Sequence, residues 1–266
     1  MNVSEQVIVG SVLAGLLALS SYRLSLVTQG GAVAMFCLGI VIFGFGGWRW
    51  AVPILVFFGF SNVLSKWRKA EKASLSLDFE KGNCRDFAQV FANGGVAGIC
   101  AILFAVGSGP HFYLYYCVSL AAASADTWAT EVGTISSAEP RLITSFRAVP
   151  AGTSGGVSFV GTMSALAGAW VIGIAGWAVS SGIAMSPETF IGGVTLCGLF
   201  GSLVDSLLGA TVQGQYRCSR CSKVTERRQH CESSTTERVS GISLVNNDVV
   251  NFISTLAAFA LSCFIF

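Results

Sequence analysis

The arrangement of apolar residues constrains this chain more than any other feature, because apolar stretches recur at the length of a membrane-crossing helix. A helix needs about 20 apolar residues to cross a bilayer. Only 11% of the residues are charged, whereas ordinary soluble domains carry about 25%. This excludes a soluble core, a disordered chain and a disulfide-rich secreted module. The stretches lie at roughly 6–22, 30–47, 48–65, 85–107, 111–132, 156–180, 189–212 and 247–266.

We therefore predict an all-α fold, a polytopic membrane helix bundle of about eight transmembrane helices. Residues 1–266 would form a single integral membrane domain. A small cytoplasmic Cys/His loop at 213–245 would be inserted between the last two spans. Glu5, with no Lys or Arg, precedes the first stretch, so we expect a retained span rather than a cleaved signal peptide.

The basic residues predict the orientation of the bundle. All of the sixteen Lys and Arg except Arg49 fall on one side of the alternating spans. The positive-inside rule makes that side cytoplasmic and places both termini outside. The net charge of +2 is too small to indicate a nucleic-acid partner. The one-sided residues are Arg23, Lys66, Arg68, Lys69, Lys72, Lys81, Arg85, Arg141, Arg147, Arg217, Arg220, Lys223, Arg227, Arg228 and Arg238.

Polar side chains enter the membrane at the start of the fourth span. Asp86, Gln89 and Asn93 follow Arg85 at a spacing that puts all three on one helical face. Asn93 would lie about two turns inside the membrane. Because polar groups are costly in lipid, such a face indicates either a functional site or hydrogen bonds that hold helices together. We favour the site.

The fifth span ends with two carboxylates and no basic residue nearby in the sequence. Asp126, Thr130 and Gly133 share one face of the helix, and Thr127 and Glu131 share an adjacent face. A bound cation, or an Arg or Lys from elsewhere in the chain, must neutralise these acids. Glu131 lies nearer the cytoplasm, where water could solvate it.

The loop before the sixth span has the composition of an anion site. Backbone N–H groups of Gly, Ser and Thr at a helix start lie beside a positive dipole end, and Arg147 adds a guanidinium. A flexible loop before a helix cap would have the same sequence. The expected phosphate-binding residues are Gly152, Thr153, Ser154, Gly155 and Gly156.

The last two spans carry further carboxylates near the same face. Asp205 lies among small residues in span seven, and Asn247 and Asp248 open span eight, with Asn251 on the face of Asp248. Each feature alone could serve helix packing. Together with Asp126 and the glycine-rich loop, they predict metal-assisted phosphate chemistry at the cytoplasmic membrane surface.

Four metal-ligand residues cluster in the predicted cytoplasmic loop. Cys218 and Cys221 are separated by two residues, and His230 and Cys231 follow. A structural disulfide is not expected in a reducing compartment, so the spacing favours a structural zinc site. His230 and Cys231 are adjacent, and both could bind one metal only through a tight turn, which leaves the fourth ligand open.

Five ordered blocks of sequence together resemble the phytyl-phosphate kinase family, which includes the eukaryotic transmembrane protein nineteen branch. The similarity runs from about residue 60 to the C-terminus. The blocks are Arg85-Asp86-x-x-Gln89-Val90-x-x-Asn93-Gly94-Gly95, Ser124-Ala125-Asp126-Thr127-Trp128-Ala129-x-Glu131-x-Gly133, Gly152-Thr153-x-Gly155-Gly156-Val157, Asp205-Ser206-Leu207-Leu208-Gly209-Ala210-Thr211 and Asn246-Asn247-Asp248-Val249-Val250-Asn251.

The resemblance implies a membrane kinase that converts an isoprenoid monophosphate, such as phytyl phosphate, to the diphosphate. The implied donor is a nucleoside triphosphate, with CTP expected, and the cofactor is Mg²⁺. Two rivals remain: a nucleotidyltransferase that forms CDP-lipids, and a transporter with intramembrane carboxylates. The prenyl chain, the oligomeric state and the identity of the membrane, whether a bacterial, archaeal or organelle membrane, stay open.

The chemistry assigns a role to each candidate residue. Asp126, Asp205 and Asp248, with Glu131, would hold Mg²⁺. Arg147 and the 152–156 amides, with Asn247, would bind phosphates. Arg85 would bind the lipid phosphate, and Asp86, Gln89 and Asn93 would orient it, while the prenyl tail stays in the bilayer.

Overall fold

Eight long helices dominate the computed structural model, which describes residues 3–67, 84–136, 138–231 and 234–266. Each helix coincides with one of the predicted apolar stretches, which confirms the all-α membrane class. The basic residues Arg68, Lys69, Lys72 and Lys81 lie outside the described residues. The helices are α1 Val3–Arg23, α2 Gln29–Val41, α3 Trp48–Lys66, α4 Phe87–Ala105, α5 His111–Gly133, α6 Phe159–Val179, α7 Pro187–Thr211 and α8 Asn247–Ile265.

The structure does not confirm the predicted number of eight spans. Six of the described helices are long and apolar enough to cross a membrane, and α3 and α5 are not among them. Helix α5 is instead the most enclosed helix, since every residue from 113 to 125 is buried. A helix surrounded by protein does not need an apolar lipid face, so its sequence can carry Tyr, Ser and Asp.

Small residues bring the neighbouring helices against α5. A Cβ added at Gly198 of α7 would lie 2.7 Å from the Cβ of Ala121, and one at Gly201 would lie 2.6 Å from that of Ala122. On α6, a Cβ at Gly168 would lie 2.7 Å from the ring of Trp128. The backbones therefore approach more closely than larger residues would permit. This packing fixes the position of α5, which carries Asp126.

Two aromatic hydroxyls hold the opposite end of α5. Tyr113 donates a hydrogen bond of 3.0 Å to the carbonyl oxygen of Gly176, and Tyr116 donates to the carbonyl of Trp50. Both acceptors belong to other helices, so these bonds fix the rotation of α5 as well as its depth.

Short strands form the connections at the Asp126 end of the bundle. Strands β1 (Arg141–Leu142) and β2 (Gly156–Val157) pair antiparallel and close the loop between α5 and α6. A four-stranded sheet fills the segment between α7 and α8, where the sequence predicts the Cys/His loop. Its strands are β3 Gln215–Cys218, β4 Val224–Thr225, β5 Gln229–His230 and β6 Ser234–Ser240, in the order β4-β3-β6-β5.

Candidate functional site

A polar cavity of about 310 Å³ opens at one end of the helix bundle. The start of α4, the end of α5, the start of α6, the end of α7 and the start of α8 all contribute to its wall. Because the helices alternate in direction, these five termini lie at the same end. The cavity wall includes the predicted residues Arg85, Gln89, Asn93, Asp126, Glu131, Gly152, Thr153, Ser154, Gly155, Gly156, Asp205 and Asn247.

Two carboxylates meet in this cavity. Asp126 of α5 and Asp205 of α7 are close enough for their carboxyl groups to hydrogen-bond to each other. The hydroxyl of Ser254 on α8 also contacts Asp205. Two adjacent carboxylates repel each other unless they share a proton or a cation. The two residues are 79 positions apart in the sequence, so their contact is a result of the helix packing.

Two oxygen atoms in this cavity have the character of cation ligands. Oδ2 of Asp205 and Oδ1 of Asn251 are buried and accept no hydrogen bond from the described residues. Asn251 is only 7% exposed and lines the cavity. Unpaired buried acceptors are costly. Carboxylate and amide oxygens are the ligands that Mg²⁺ prefers, so these residues fit such an ion.

The glycine-rich loop lies directly against α7 beside Asp205. Gly155 has φ +78°, and a Cβ there would lie 2.4 Å from the Cβ of Ala210 and 2.7 Å from the carbonyl oxygen of Ser206. A Cβ at Gly209 would lie 3.1 Å from the backbone nitrogen of Gly155. The two glycines thus bring the loop and the helix into close backbone contact, and a side chain at Gly155 would force them apart. The loop therefore borders the carboxylate pair.

Arg85 occupies another part of the cavity wall. Its Nη1 donates a hydrogen bond of 3.2 Å to Oδ1 of Asn62, and its guanidinium lies 5.6 Å from the ring centre of Phe58. Glu131 is near enough to interact electrostatically with Arg85, and its carboxylate accepts a hydrogen bond from Ser65. Among the described residues, Arg85 is the single basic side chain in the cavity wall.

The polar residues of α4 have two roles: some cap the helix, and some line the cavity. Asp86 accepts a hydrogen bond of 2.9 Å from the backbone nitrogen of Gln89, and Oε1 of Gln89 accepts one of 3.1 Å from the nitrogen of Asp86. This is a capping box, which satisfies backbone N–H groups where α4 begins. The Asp-x-x-Gln spacing could have indicated it from the sequence. Gln89 and Asn93 line the cavity, and Asp86 does not.

Besides Asp86, two predicted site residues lie away from the cavity wall. Arg147 is exposed, and its carbonyl oxygen accepts a hydrogen bond of 2.9 Å from the nitrogen of Leu142. Asp248 is 93% buried in the first turn of α8 and does not line the cavity, although its neighbour Asn247 does. The sequence pattern placed Asp248 and Asn251 on one face, but of the two only Asn251 reaches the cavity.

A further carboxylate reaches the cavity from the four-stranded sheet. Glu226 follows β4, lines the cavity and accepts a hydrogen bond of 2.7 Å from the hydroxyl of Ser154. It interacts electrostatically with both Asp126 and Asp205. Sequence reasoning missed Glu226, because an acid among Arg and Lys in a loop has the pattern of a solvated residue. It also missed Gln213, whose buried Nε2 donates no hydrogen bond to a described residue.

The four predicted zinc ligands gather in the sheet. One ligand atom from each of Cys218, Cys221, His230 and Cys231 lies within 4.8 Å of the others, so this cluster could hold a metal ion. Cys231 has φ +45°, and this turn lets two adjacent residues face the same point. Backbone N–H groups of Cys221 and Arg220 and the ring of His230 lower the pKa of the Cys218 thiol to about 6, which favours the metal-binding thiolate.

The fold and the cavity define an integral membrane protein with a carboxylate-lined polar site at one end of its helix bundle. The chain belongs to the family described as "Integral membrane protein DUF92", which matches residues 12–259. Protein PGR of Arabidopsis thaliana is 30% identical over 269 residues, which cover 92% of this chain and 91% of that protein.

Two other relatives match over a smaller share of this chain. An uncharacterized membrane protein of Methanocaldococcus jannaschii is 32% identical over 184 residues, or 68% of this chain and 72% of that protein. The chloroplastic protein VTE6 of Arabidopsis thaliana is 23% identical over 229 residues, or 84% of this chain and 60% of that protein. No solved structure matches the chain. These similarities confirm the family resemblance drawn from the motifs.

Proposed function

We propose that this protein is an integral membrane kinase that phosphorylates an isoprenoid monophosphate to the diphosphate, with CTP as the expected donor and Mg²⁺ as the cofactor. The observation that carries the proposal is the contact of Asp126 with Asp205 beside a loop of backbone amides at 152–156. Phosphoryl transfer needs both a site for a divalent cation and donors for phosphate oxygens.

The oxygen atoms of Asp126, Asp205 and Asn251 would hold the magnesium ion. When bound, Mg²⁺ would neutralise the triphosphate and draw charge from the transferred phosphoryl group. The neighbouring loop would hold the nucleotide phosphates through its N–H groups. Magnesium ligation by Glu131 and Asp248 and phosphate binding by Arg147 remain predictions from the sequence, since Glu131 faces Arg85 and the other two lie outside the cavity wall.

Arg85 would bind the phosphate of the isoprenoid substrate. Its guanidinium is held by Asn62 and presented in the cavity wall beside Gln89 and Asn93. A guanidinium binds phosphate through two parallel hydrogen bonds. The apolar tail would leave the cavity between helices and lie in the bilayer.

The reaction needs no general base at the attacking oxygen. A phosphate monoester is already largely dianionic at pH 7, because its second pKa is about 6. A terminal oxygen of the monophosphate attacks the γ-phosphorus, the bond from that phosphorus to the β,γ-bridging oxygen breaks, and the nucleoside diphosphate leaves. The residues of this chain therefore act by binding and orienting two anions.

The cavity opens at the end of the bundle where the basic loops cluster, and we place that end in the cytoplasm. A cysteine introduced at Lys223 should react with an impermeant thiol reagent only after the membrane is opened. Reaction from outside intact cells would mean that the bundle has the opposite orientation. The nucleotide would then have to enter the cavity from outside the cell.

The decisive experiment identifies both products of the purified protein in detergent or nanodiscs. Each nucleoside triphosphate is incubated with a series of prenyl monophosphates that differ in chain length and saturation. A nucleoside diphosphate together with a prenyl diphosphate supports the kinase. Pyrophosphate together with a nucleotide-linked lipid would identify a nucleotidyltransferase. Ion or substrate flux into vesicles without either product would identify a transporter.

A further inference from the structure

We propose that zinc at Cys218, Cys221, His230 and Cys231 holds the four-stranded sheet so that Glu226 becomes the third carboxylate of the cation site in the cavity. The zinc site and the carboxylate site are then one structural unit, although one lies in the sheet and the other among the helices. The catalytic consequence rests on the proposed function, whereas metal binding at the two sites does not.

The Cys/His cluster has the composition and spacing of a closed structural zinc site. Zinc bonds of about 2.0–2.3 Å in tetrahedral geometry separate neighbouring ligand atoms by about 3.5–3.8 Å. Nδ1 of His230 lies 3.4 Å from Sγ of Cys221 and 3.2 Å from Sγ of Cys231. All four ligand atoms fall within 4.8 Å of one another. Small movements of the side chains would therefore complete the site.

The metal would link two hairpins that the pairing of β3 with β6 already places side by side. Cys218 and Cys221 lie on the turn between β3 and β4, and His230 and Cys231 lie on the turn between β5 and β6. Strands β4 and β5 have two residues each. Strands of two residues add few hydrogen bonds to a sheet, so a metal ion shared by the two turns would add to the stability of this one.

Glu226 lies on the segment between these two ligand pairs. Its neighbour Thr225 is buried and pairs with Tyr216 of β3. The carbonyl oxygen of Arg227, on its other side, accepts a hydrogen bond of 3.0 Å from the hydroxyl of Thr236 on β6. Both hairpins therefore fix the backbone at Glu226, and loss of the metal would release it.

The position of Glu226 gives it an electrostatic role. Its carboxylate meets Ser154 of the glycine-rich loop and interacts with Asp126 and Asp205. Glu131, the other carboxylate of the cavity wall, faces Arg85, whereas the mutual repulsion of Asp126, Asp205 and Glu226 is unfavourable unless a cation balances it. The buried acceptor Oδ1 of Asn251, which has no described partner, points to such a cation independently of the acids. Glu226 would thus raise the affinity of the cavity for a divalent ion.

The test measures metal binding rather than turnover. Zinc content is determined on the purified full-length protein, and Mn²⁺ affinity is measured by electron paramagnetic resonance. Glu226→Gln keeps an oxygen for Ser154 but removes the charge, so Mn²⁺ affinity should fall about 10-fold to 100-fold, as for other groups that support metal ligands. Glu237→Gln, an exposed acid of β6, is the matched control and should leave the affinity unchanged.

Removal of the zinc ligands, which lie in the sheet, should lower the Mn²⁺ affinity of the cavity by the same factor. Cys218→Ser with Cys221→Ser should abolish bound zinc and lower Mn²⁺ affinity as much as Glu226→Gln does. Cys37→Ser, on an exposed face of α2, should retain both. If the double variant does not fold, Ser154→Ala replaces it: zinc stays bound, and Mn²⁺ affinity falls because Glu226 loses its hydrogen bond.

Three results would overturn the proposal. Wild-type protein without zinc would remove the metal from the sheet. If Glu226→Gln binds zinc and keeps its Mn²⁺ affinity, zinc has a role in stability alone. Unchanged Mn²⁺ affinity in the zinc-free protein would lead to the same conclusion. If the metal measurements hold while no prenyl phosphate is phosphorylated, the proposed kinase activity fails and this inference stands.

Discussion

The Cys/His cluster and the carboxylate cavity are two candidate metal sites that the chain builds in different ways. The cluster takes its four ligands from residues 218–231, within one small sheet. The cavity takes its candidate oxygen ligands for a cation from α5, α7, α8 and the sheet, over residues 126–251. A local site requires only a few turns to form, whereas the cavity requires that five helices pack correctly.

The two sites also differ in the atoms that they present. Thiolates and imidazole suit zinc, and carboxylate and amide oxygens suit magnesium. The cluster lies among strands with exposed residues, while Asp126 and Asp205 lie between helices. A charge inside the bundle interacts more strongly than one beside water. We therefore expect the largest functional effects in the cavity.

The sharpest difference should come from the carboxylate pair. Asp126→Asn and Asp205→Asn should each insert and fold, since they remove a buried charge. Each should lower prenyl diphosphate formation by about 10³-fold or more, and the double variant should be scarcely worse than either single one, because both act on one ion. Initial rates at saturating Mg²⁺ test this.

Glu188→Gln is the matched control for this pair. Glu188 is exposed at the opposite end of α7 from Asp205, so the change should leave the rate unaltered. Near-wild-type turnover in either Asn variant, with substrate shown to bind, would place the catalytic metal elsewhere.

We expect the second-largest effect on activity from the contact between the glycine-rich loop and α7. Gly155→Ala introduces a Cβ at φ +78° and at 2.4 Å from Ala210, so the loop must move away from α7. A displacement of about 1 Å can cost 10²-fold in rate. Gly192→Ala, on the same helix with nothing within 4 Å of the added Cβ, should retain full activity. Equal rates for the two variants would show that the loop does not touch substrate.

Loss of the sheet metal should lower both the stability of the sheet and, through Glu226, the activity of the cavity. Cys218→Ser with Cys221→Ser should lower the midpoint of thermal unfolding by several degrees and activity by about tenfold. The far-ultraviolet helix signal should stay, since the helices pack without the sheet. An unchanged midpoint in the metal-free variant would contradict a structural metal.

The smallest effect should come from Glu131. Its carboxylate accepts a hydrogen bond from Ser65 and lies near Arg85, and Glu131→Gln keeps an acceptor for Ser65. Because this hydrogen bond is kept, the rate should fall by less than about fivefold, which is what the loss of one ordinary hydrogen bond would cost. A loss as large as that of Asp126→Asn would make Glu131 a metal ligand, as the sequence pattern predicts.

The sequence was sufficient for the features that depend on local order. The lengths of the apolar stretches predicted the eight helices, and the spacing of Cys218-x-x-Cys221 and His230-Cys231 predicted the Cys/His cluster. The capping role of Asp86 was also readable from its spacing to Gln89. In each case the interacting atoms are fixed by a few bonds along the backbone.

The sequence alone determined the membrane class, the helices and the residues available for chemistry. Only the tertiary structure decided that Asp126 meets Asp205, that Glu226 joins them from the sheet, and that Arg147 and Asp248 stay outside the cavity wall. Helical periodicity specifies the face on which a residue lies, but not the neighbour toward which that face turns. The neighbour is chosen by contacts such as Gly198 with Ala121, between side chains far apart in the sequence.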